Sequence, residues 1–125
     1  MEARRVSADR ILVVDDHAGF RATARRLLER DGWSVVGEAD DGAAALIAVA
    51  ALDPDVVLLD IGLPDASGFD IADRIMVGGR ARVVLVSSRD RSVYGAALDR
   101  SRAVGFIAKG DLAGAGLRDM LSSDR

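Results

Sequence analysis

Cysteine is absent from this sequence and aromatic residues are scarce, and each shortage limits what the protein can be. Without cysteine there are no disulfides, thiolate metal sites or thiol nucleophiles. Only 4% of the 125 residues are aromatic whereas 50% are hydrophobic, so the core has to be built from aliphatic side chains. The length is that of one ordinary domain, and we predict a single domain over residues 1–125.

Long apolar runs and an excess of positive charge are missing as well. The longest strictly apolar stretch, AAALIAVAAL (43–52), is about half as long as a helix that spans a bilayer. The first residues do not form the basic and then apolar pattern of a signal peptide. We therefore expect a soluble, cytoplasmic protein without a membrane partner. The net charge of −3 argues against nucleic-acid binding by this segment.

Lysine is almost absent: Lys109, in GFIAKGD (105–111), is the one lysine among 17 basic residues, and the others are arginine. A guanidinium is a broad planar fork, whereas an ammonium is a compact charge on a flexible stem. The choice of lysine at this position therefore indicates a site that requires a compact positive charge. A phosphoryl oxygen is a suitable partner for such a charge. The single histidine, His17, lacks a helical-bundle context, and we assign it a surface or supporting role.

Five short apolar runs rich in valine and isoleucine predict strands that are buried on both faces. They are ILVV (11–14), WSVV (33–36), DVVLL (55–59), RVVLV (82–86) and AVGFIA (103–108). Stretches with helical spacing lie between them, with apolar stripes at Phe20, Ala24, Leu27 and Leu28 and at Phe69, Ala72, Ile75 and Met76. The alternation predicts five βα units, a parallel sheet and a doubly wound three-layer α/β sandwich.

For two of the predicted helices, the sequence also indicates exposure or stability. Arg21, Arg25 and Arg30 on the first helix are turned away from its apolar stripe, and we expect them to form a solvated face. The helix after residue 110, DLAGAGLRDML (111–121), contains Gly114 and Gly116, each of which costs up to about 1 kcal/mol relative to alanine. We predict that it is the least stable helix.

Polar residues follow four of the five predicted strands. In a doubly wound sheet the carboxyl ends of the strands form the site. If the first, third, fourth and fifth strands are neighbours, one cup holds Asp15, Asp16, Asp60, Ser87, Ser88 and Lys109. Each residue has a simpler interpretation, because Asp and Ser commonly cap helices and a lone lysine is usually solvated. Their joint placement at the strand ends favours a site.

The three carboxylates of this cup require compensation. Two such charges 4 Å apart repel by about 4 kcal/mol at an effective dielectric constant of 20. Oxygen ligands with no histidine or cysteine nearby favour Mg²⁺, which uses few protein carboxylates and keeps several waters. The sequence therefore predicts a magnesium site beside Lys109.

These residues resemble a response-regulator receiver domain, the CheY-like phosphoacceptor module of two-component signalling. ILVVDDHAGFR (11–21) is similar to the first strand and acid pair of the family, and PDVVLLDIGLPDASGFD (54–70) to its acceptor segment. VVLVSS (83–88) and GFIAKGD (105–111) match the hydroxyl and lysine positions. The resemblance implies a flavodoxin-like (βα)5 fold with strand order 2-1-3-4-5, and it covers nearly the whole chain.

The resemblance also implies roles for the acids. Asp60 would be the nucleophile that receives a phosphoryl group, in a reaction that depends on Mg²⁺. Asp16 would bind Mg²⁺ directly, and Asp15 directly or through water. Asp60 and the backbone carbonyl of Gly62 would be further metal ligands.

The remaining implied roles concern the phosphoryl oxygens and the signal. Ser87 would donate a hydrogen bond to one oxygen, and Lys109 would pair with another. Phe106 would turn inward into space that Ser87 vacates, although the family frequently has tyrosine there. The signal would be displayed by the fourth helix, fifth strand and fifth helix, a face that is also compatible with a homodimer.

The partners implied are a sensor histidine kinase or phosphotransfer protein and an unidentified output protein or domain. One reading is a stand-alone receiver, and a second is the receiver part of a transcription factor with a helix-turn-helix output domain. A remote third is an aspartate-nucleophile phosphatase of the haloacid-dehalogenase type. Those enzymes usually carry a second acid two residues after the nucleophile, where this chain has Gly62. We therefore expect a protein that is not an enzyme.

Overall fold

The structure is a computed structural model that describes residues 9–114 and 116–123. Five strands alternate with five helices. The strands are β1 (Arg10–Val14), β2 (Ser34–Ala39), β3 (Val56–Asp60), β4 (Arg82–Ser87) and β5 (Gly105–Ala108). The helices are α1 (Ala18–Arg30), α2 (Gly42–Leu52), α3 (Gly68–Gly78), α4 (Ala96–Arg100) and α5 (Leu117–Ser123). Short 3₁₀ turns cover Arg91–Val93 and Lys109–Gly114.

The strands form one parallel sheet in the order β2-β1-β3-β4-β5, which confirms the predicted strand order. The chain order reverses next to β1, so β1 and β3 border the switch point where a doubly wound sheet places its site. β3 is buried along its whole length, and the aliphatic residues of β1 and β4 are fully buried. The predicted (βα)5 sandwich is confirmed.

Side chains that alternate along each strand supply two separate cores. Leu12 and Val14 pack on the face covered by α2, α3 and α4, whereas Ile11 and Val13 pack on the face covered by α1 and α5. Burying one such aliphatic side chain contributes about 1.5–3 kcal/mol. The two cores fix β1 and β3 rigidly, and the residues that follow these strands inherit that rigidity.

The end of the chain departs from the prediction. The helix predicted over residues 111–121 is not continuous, because a 3₁₀ turn covers Lys109–Gly114 and α5 begins at Leu117. Gly116 has a φ of 63°, a left-handed conformation that a helix interior does not allow. The left-handed Gly116 therefore lies at the break before α5, and the low stability of this helix stays a prediction.

The solvated arginine face is only partly observed. Arg21 Nε and Arg25 Nε each lie 2.9 Å from one carboxylate oxygen of Glu38 on β2. Arg21 also donates to the backbone carbonyl of Asp15 at 2.8 Å. Arg30 is exposed, as predicted. The expectation holds in part for Arg21 and Arg25, which are partly exposed and also tie α1 to the sheet beside the acid pair.

Within residues 9–114 and 116–123, no helix is long and apolar enough to cross a membrane.

Candidate functional site

The predicted acids meet at the carboxyl ends of β1 and β3. Asp15 is fully buried and Asp60 is 5% exposed, whereas the side chain of Asp16 is 32% exposed. Asp15, Asp16, His17 and Asp60 each place one ligand atom within 4.8 Å of the others. The structure thus brings the three predicted carboxylates together, with Asp16 on the solvent side of the cluster.

Lys109 enters this cluster from the end of β5. Its Nζ lies 2.6 Å from Asp15 Oδ2 and 3.6 Å from Asp60 Oδ2, and its side chain is 14% exposed. The same ammonium lies 4.7 Å from the centre of the Phe20 ring, a cation–π arrangement. Phe20 lies in the predicted apolar stripe of α1, and its spacing did not indicate the contact with the lysine.

The environment of Asp60 favours its protonated form. Burial raises the pKa of the Asp60 carboxyl, and the nearby Asp15 carboxylate raises it further. The Gly62 N–H, which donates to Asp60 Oδ1 at 3.2 Å, and the Lys109 ammonium act in the opposite direction. An added cation would relieve this imbalance.

The residues of the cluster fit a divalent cation. Asp15 Oδ2 is fully buried and accepts no hydrogen bond within the described residues, and its charged neighbour is Lys109. Lys109 is the one ammonium beside three carboxylates, so a further cation would compensate the remaining negative charge. The expectation of no nearby histidine was wrong, because His17 lies beside the acids. The three carboxylates, with Asp16 facing solvent, match the preference of Mg²⁺ for few carboxylates and several waters. The acidic cluster is therefore compatible with Mg²⁺.

His17 borders the cluster. Its Nδ1 lies 3.1 Å from Asp15 Oδ1 and 3.2 Å from Asp16 Oδ1, while the side chain is 69% exposed. The His17 backbone N–H donates to Asp15 Oδ1 at 2.8 Å. The histidine lies at the surface beside the acids, where we expected it.

The predicted switch residues are close to an aromatic residue that sequence analysis missed. Ser87, at the end of β4, is 3% exposed, and its Oγ lies 2.5 Å from Tyr94 Oη. The Tyr94 ring contacts Phe69 and Phe106, with centroid distances of 5.7 Å and 6.1 Å. Tyr94 therefore lies between the hydroxyl and aromatic positions of the predicted switch. It follows a 3₁₀ turn with no periodic pattern that could have indicated it.

The loop after Asp60 is anchored to α2. Asp65 accepts hydrogen bonds from the N–H groups of Gly42 and Ala43, at 2.7 Å and 3.0 Å. These two bonds lower the pKa of Asp65, with Gly42 contributing most. At the end of the loop, a Cβ on Gly68 would lie 2.5 Å from the Asp60 carbonyl oxygen. The backbone around Asp60 is thus held at both ends of its loop.

The fold and this cluster agree with the comparison against protein families. The model of the response regulator receiver domain matches residues 11–120. The chain belongs to the response regulator receiver domain family.

The relatives that match this chain are longer proteins. A putative transcriptional regulator of Pseudomonas aeruginosa is 35% identical over 101 residues, which cover 80% of this chain and 49% of that protein. A Burkholderia thailandensis protein-glutamate methylesterase/protein-glutamine glutaminase is 39% identical over 103 residues, 80% of this chain and 29% of its own. This chain thus spans about half, or less, of these relatives.

A solved structure supports the same conclusion. The signal receiver domain of the putative response regulator NarL from Mycobacterium tuberculosis is 38% identical, with a TM-score of 0.76. The match covers 90% of this chain and 95% of that domain. The similarity therefore extends over the fold described here.

Proposed function

We propose that this chain is a single receiver domain that is phosphorylated on Asp60 in a Mg²⁺-dependent reaction. The observation that carries the proposal is the position of Asp60. Its carboxylate is buried at the end of β3, 3.6 Å from the lone lysine and within one acidic cluster with Asp15 and Asp16. A carboxylate held rigidly among such groups is suited to accept a phosphoryl group.

The transfer requires alignment and charge neutralisation. One Asp60 oxygen attacks the phosphorus atom, and a P–O bond forms while the bond between phosphorus and the donor group breaks. Asp15, Asp16, Asp60 and the Gly62 carbonyl are the residues proposed to hold Mg²⁺. When bound, the ion neutralises charge on the phosphoryl oxygens and on the acids.

Two protein groups complete the proposed phosphoryl site. Lys109 already lies among the carboxylates, and its flexible stem allows the ammonium to reach a phosphoryl oxygen. The Ser87 hydroxyl is a hydrogen-bond donor for another oxygen. Neither group takes up or releases a proton in the transfer, so both act by binding and orientation.

The signal is proposed to leave through α4, β5 and α5. Phe106 is half-buried on the edge strand β5, and Tyr94 connects its ring to Ser87. A change at Ser87 therefore has a direct path to this face, where an output partner or a second copy would bind. A histidine kinase or phosphotransfer protein is the proposed phosphoryl donor.

The output is proposed to lie outside this segment. The similarity to a putative transcriptional regulator, of which the match covers 49%, favours a DNA-binding output domain over a stand-alone receiver. The match to a methylesterase shows that receivers also occur in enzymes. Receiver domains of transcriptional regulators are mostly non-enzymatic, and we propose that this chain has no activity of its own on a separate substrate. The phosphatase alternative is disfavoured because Gly62 occupies the position of the second acid.

Phosphorylation by a small donor tests the proposal. Incubation with acetyl phosphate and Mg²⁺ is expected to add one phosphoryl mass to the intact protein. Asp60→Asn should abolish the addition, whereas Asp70→Asn, at an exposed aspartate on α3, should leave it unchanged. Full modification of the Asp60→Asn protein would show that the acceptor lies elsewhere.

A further inference from the structure

The hydroxyl of Ser87 already has hydrogen-bond partners in the structure. Its Oγ lies 2.5 Å from Tyr94 Oη, and it accepts the N–H of Arg89 at 3.0 Å. A serine hydroxyl has one proton to donate and two lone pairs. One lone pair is used by Arg89, so Tyr94 takes either the second lone pair or the proton.

A phosphoryl group on Asp60 would need that proton. Ionised phosphoryl oxygens accept hydrogen bonds and do not donate them, so Ser87 must act as the donor. Where Tyr94 takes the proton, the O–H must turn from Tyr94 to Asp60. Where Tyr94 donates to the second lone pair, its short contact still fixes the position of the Ser87 Oγ. This step rests on the proposed phosphorylation of Asp60.

Tyr94 is not free to follow the serine. Its ring packs edge-on against Phe69 of α3 at 5.7 Å and at a tilt against Phe106 of β5 at 6.1 Å. Two rings on different elements therefore hold the tyrosine in place. Movement of the Ser87 hydroxyl toward Asp60 lengthens the bond to Tyr94 and breaks it.

We propose that Tyr94 is a positioning residue that restrains Ser87 in the unphosphorylated protein and opposes phosphoryl binding. Phe106 has no hydroxyl, and Tyr94 supplies one from the neighbouring segment instead. Loss of the Ser87 bond also removes one of the contacts that hold the Tyr94 side chain. The tyrosine thereby couples the serine to Phe106 and to the segment that leads into α4.

The proposal predicts a change in affinity for a phosphoryl mimic. Tyr94→Phe keeps the ring and removes the hydroxyl that competes for Ser87. A typical net hydrogen bond corresponds to a factor of about 2 to 12 in an equilibrium constant. We expect beryllofluoride, in the presence of Mg²⁺, to bind Tyr94→Phe more tightly than wild type by a factor in this range.

A double-mutant cycle separates this effect from a general effect on packing. Ser87→Ala, Tyr94→Phe and the double variant are titrated with beryllofluoride and followed by amide NMR shifts, with unfolding temperatures measured in parallel. Tyr94→Phe should increase affinity in the wild-type background and have no effect beside Ser87→Ala. An equal effect in both backgrounds would show a purely structural role and overturn the proposal.

The remaining outcomes are also decisive. Unchanged or weaker binding by Tyr94→Phe, with normal binding by wild type, would overturn the restraint by Tyr94 and leave the phosphoacceptor assignment intact. A wild-type protein that binds no beryllofluoride with Mg²⁺ would overturn the proposed function and this inference together.

Discussion

The ammonium of Lys109 lies 2.6 Å from Asp15 Oδ2, so the single lysine of the chain forms an ion pair with Asp15. Its distance to Asp60 Oδ2 is longer, at 3.6 Å. The lysine therefore compensates a buried carboxylate before any phosphoryl group is present. It has to extend only slightly to reach a group attached to Asp60. This dual position explains why a compact charge on a flexible stem is needed.

Replacing Lys109 with arginine should impair the site while leaving the fold intact. A guanidinium retains the positive charge but is too broad for the space bounded by Asp15, Asp60 and the Phe20 ring. We expect beryllofluoride to bind Lys109→Arg about tenfold more weakly, equivalent to about 1.4 kcal/mol, with an unfolding temperature close to that of wild type.

The control is an arginine already at the surface. Arg30→Lys makes the reverse exchange at an exposed position on α1 and should leave affinity unchanged. If Lys109→Arg binds beryllofluoride as tightly as wild type, the choice of lysine at this position is incidental.

Asp16 should determine metal affinity. We expect wild type to bind Mg²⁺ with millimolar-range affinity, about 4 kcal/mol, as is usual for a site made of few carboxylates. Asp16→Ala should weaken binding markedly, and chelation of the metal should stop phosphorylation by acetyl phosphate. Calorimetric titration with Mg²⁺ measures the affinity directly. Asp31→Ala, at an exposed position at the end of α1, serves as the control, and equal titration curves for Asp16→Ala and wild type would contradict the site.

The ionised Asp60 carboxylate should lower the free energy of unfolding at neutral pH. Its pKa is raised by burial and by Asp15, so the folded state binds the Asp60 proton more tightly than the unfolded state does. Stability is therefore lost as the pH rises from the ordinary carboxyl value, about 3.9, through the raised value. The amide in Asp60→Asn carries no charge, and Lys109 keeps its closer partner Asp15.

Thermal unfolding as a function of pH measures this effect. In metal-free buffer at pH 7, Asp60→Asn should unfold at a higher temperature than wild type, by several degrees for each kcal/mol gained. The difference should shrink toward about pH 4, where the wild-type carboxyl is protonated. Asp70→Asn controls for the general loss of a negative charge. A lower unfolding temperature for Asp60→Asn at pH 7 would contradict this account of the acidic cluster.

The fold was largely predictable because each strand is a short aliphatic run buried on both faces. The site was predictable because parallel strands bring their carboxyl ends together, which places Asp15, Asp60 and Lys109 side by side. Neither inference required knowledge of the loops. The apolar runs and helical spacing did not predict the parts of the structure that depend on loops or on the conformation of a single residue.

Three features show why the local sequence patterns did not predict these parts of the structure. The break before α5 depends on the left-handed conformation of Gly116, which composition alone does not specify. The pairing of Glu38 with Arg21 and Arg25 links β2 to α1 across many residues, so helical spacing could not reveal it. Tyr94 acts through tertiary contacts with Phe69 and Phe106. Each depends on how the elements pack, information that local periodicity does not contain.

Activation should alter one face of the protein more than the others. Amide exchange measured with and without beryllofluoride should differ most across residues 88–110, which connect Ser87 to Phe106 and Lys109. The reason is that a charge change at Asp60 acts on a packed two-state element rather than on the whole fold. The first two helices serve as the internal control, and changes confined to residues 18–52 would contradict the proposed output face.

Gly68 should be essential to the geometry of the acceptor loop. A Cβ at this position would lie 2.5 Å from both the Asp60 carbonyl oxygen and the Ile61 Cα. These are backbone atoms of the acceptor and of the residue that follows it, so they cannot move without displacing Asp60. Overpacking of this kind typically costs about 1–3 kcal/mol. We expect Gly68→Ala to lower the unfolding temperature and to slow phosphorylation by acetyl phosphate.

Gly78, at the other end of the same helix, provides the matched control for this prediction. A Cβ there meets no atom within 4 Å, and its φ is not positive. Gly78→Ala should therefore leave stability unchanged or raise it by up to about 1 kcal/mol, because alanine favours helix and restricts the unfolded chain. Phosphorylation of Gly78→Ala should proceed at the wild-type rate. If both variants behave alike in the two measurements, the close approach of α3 to the Asp60 backbone does not control the position of the acceptor.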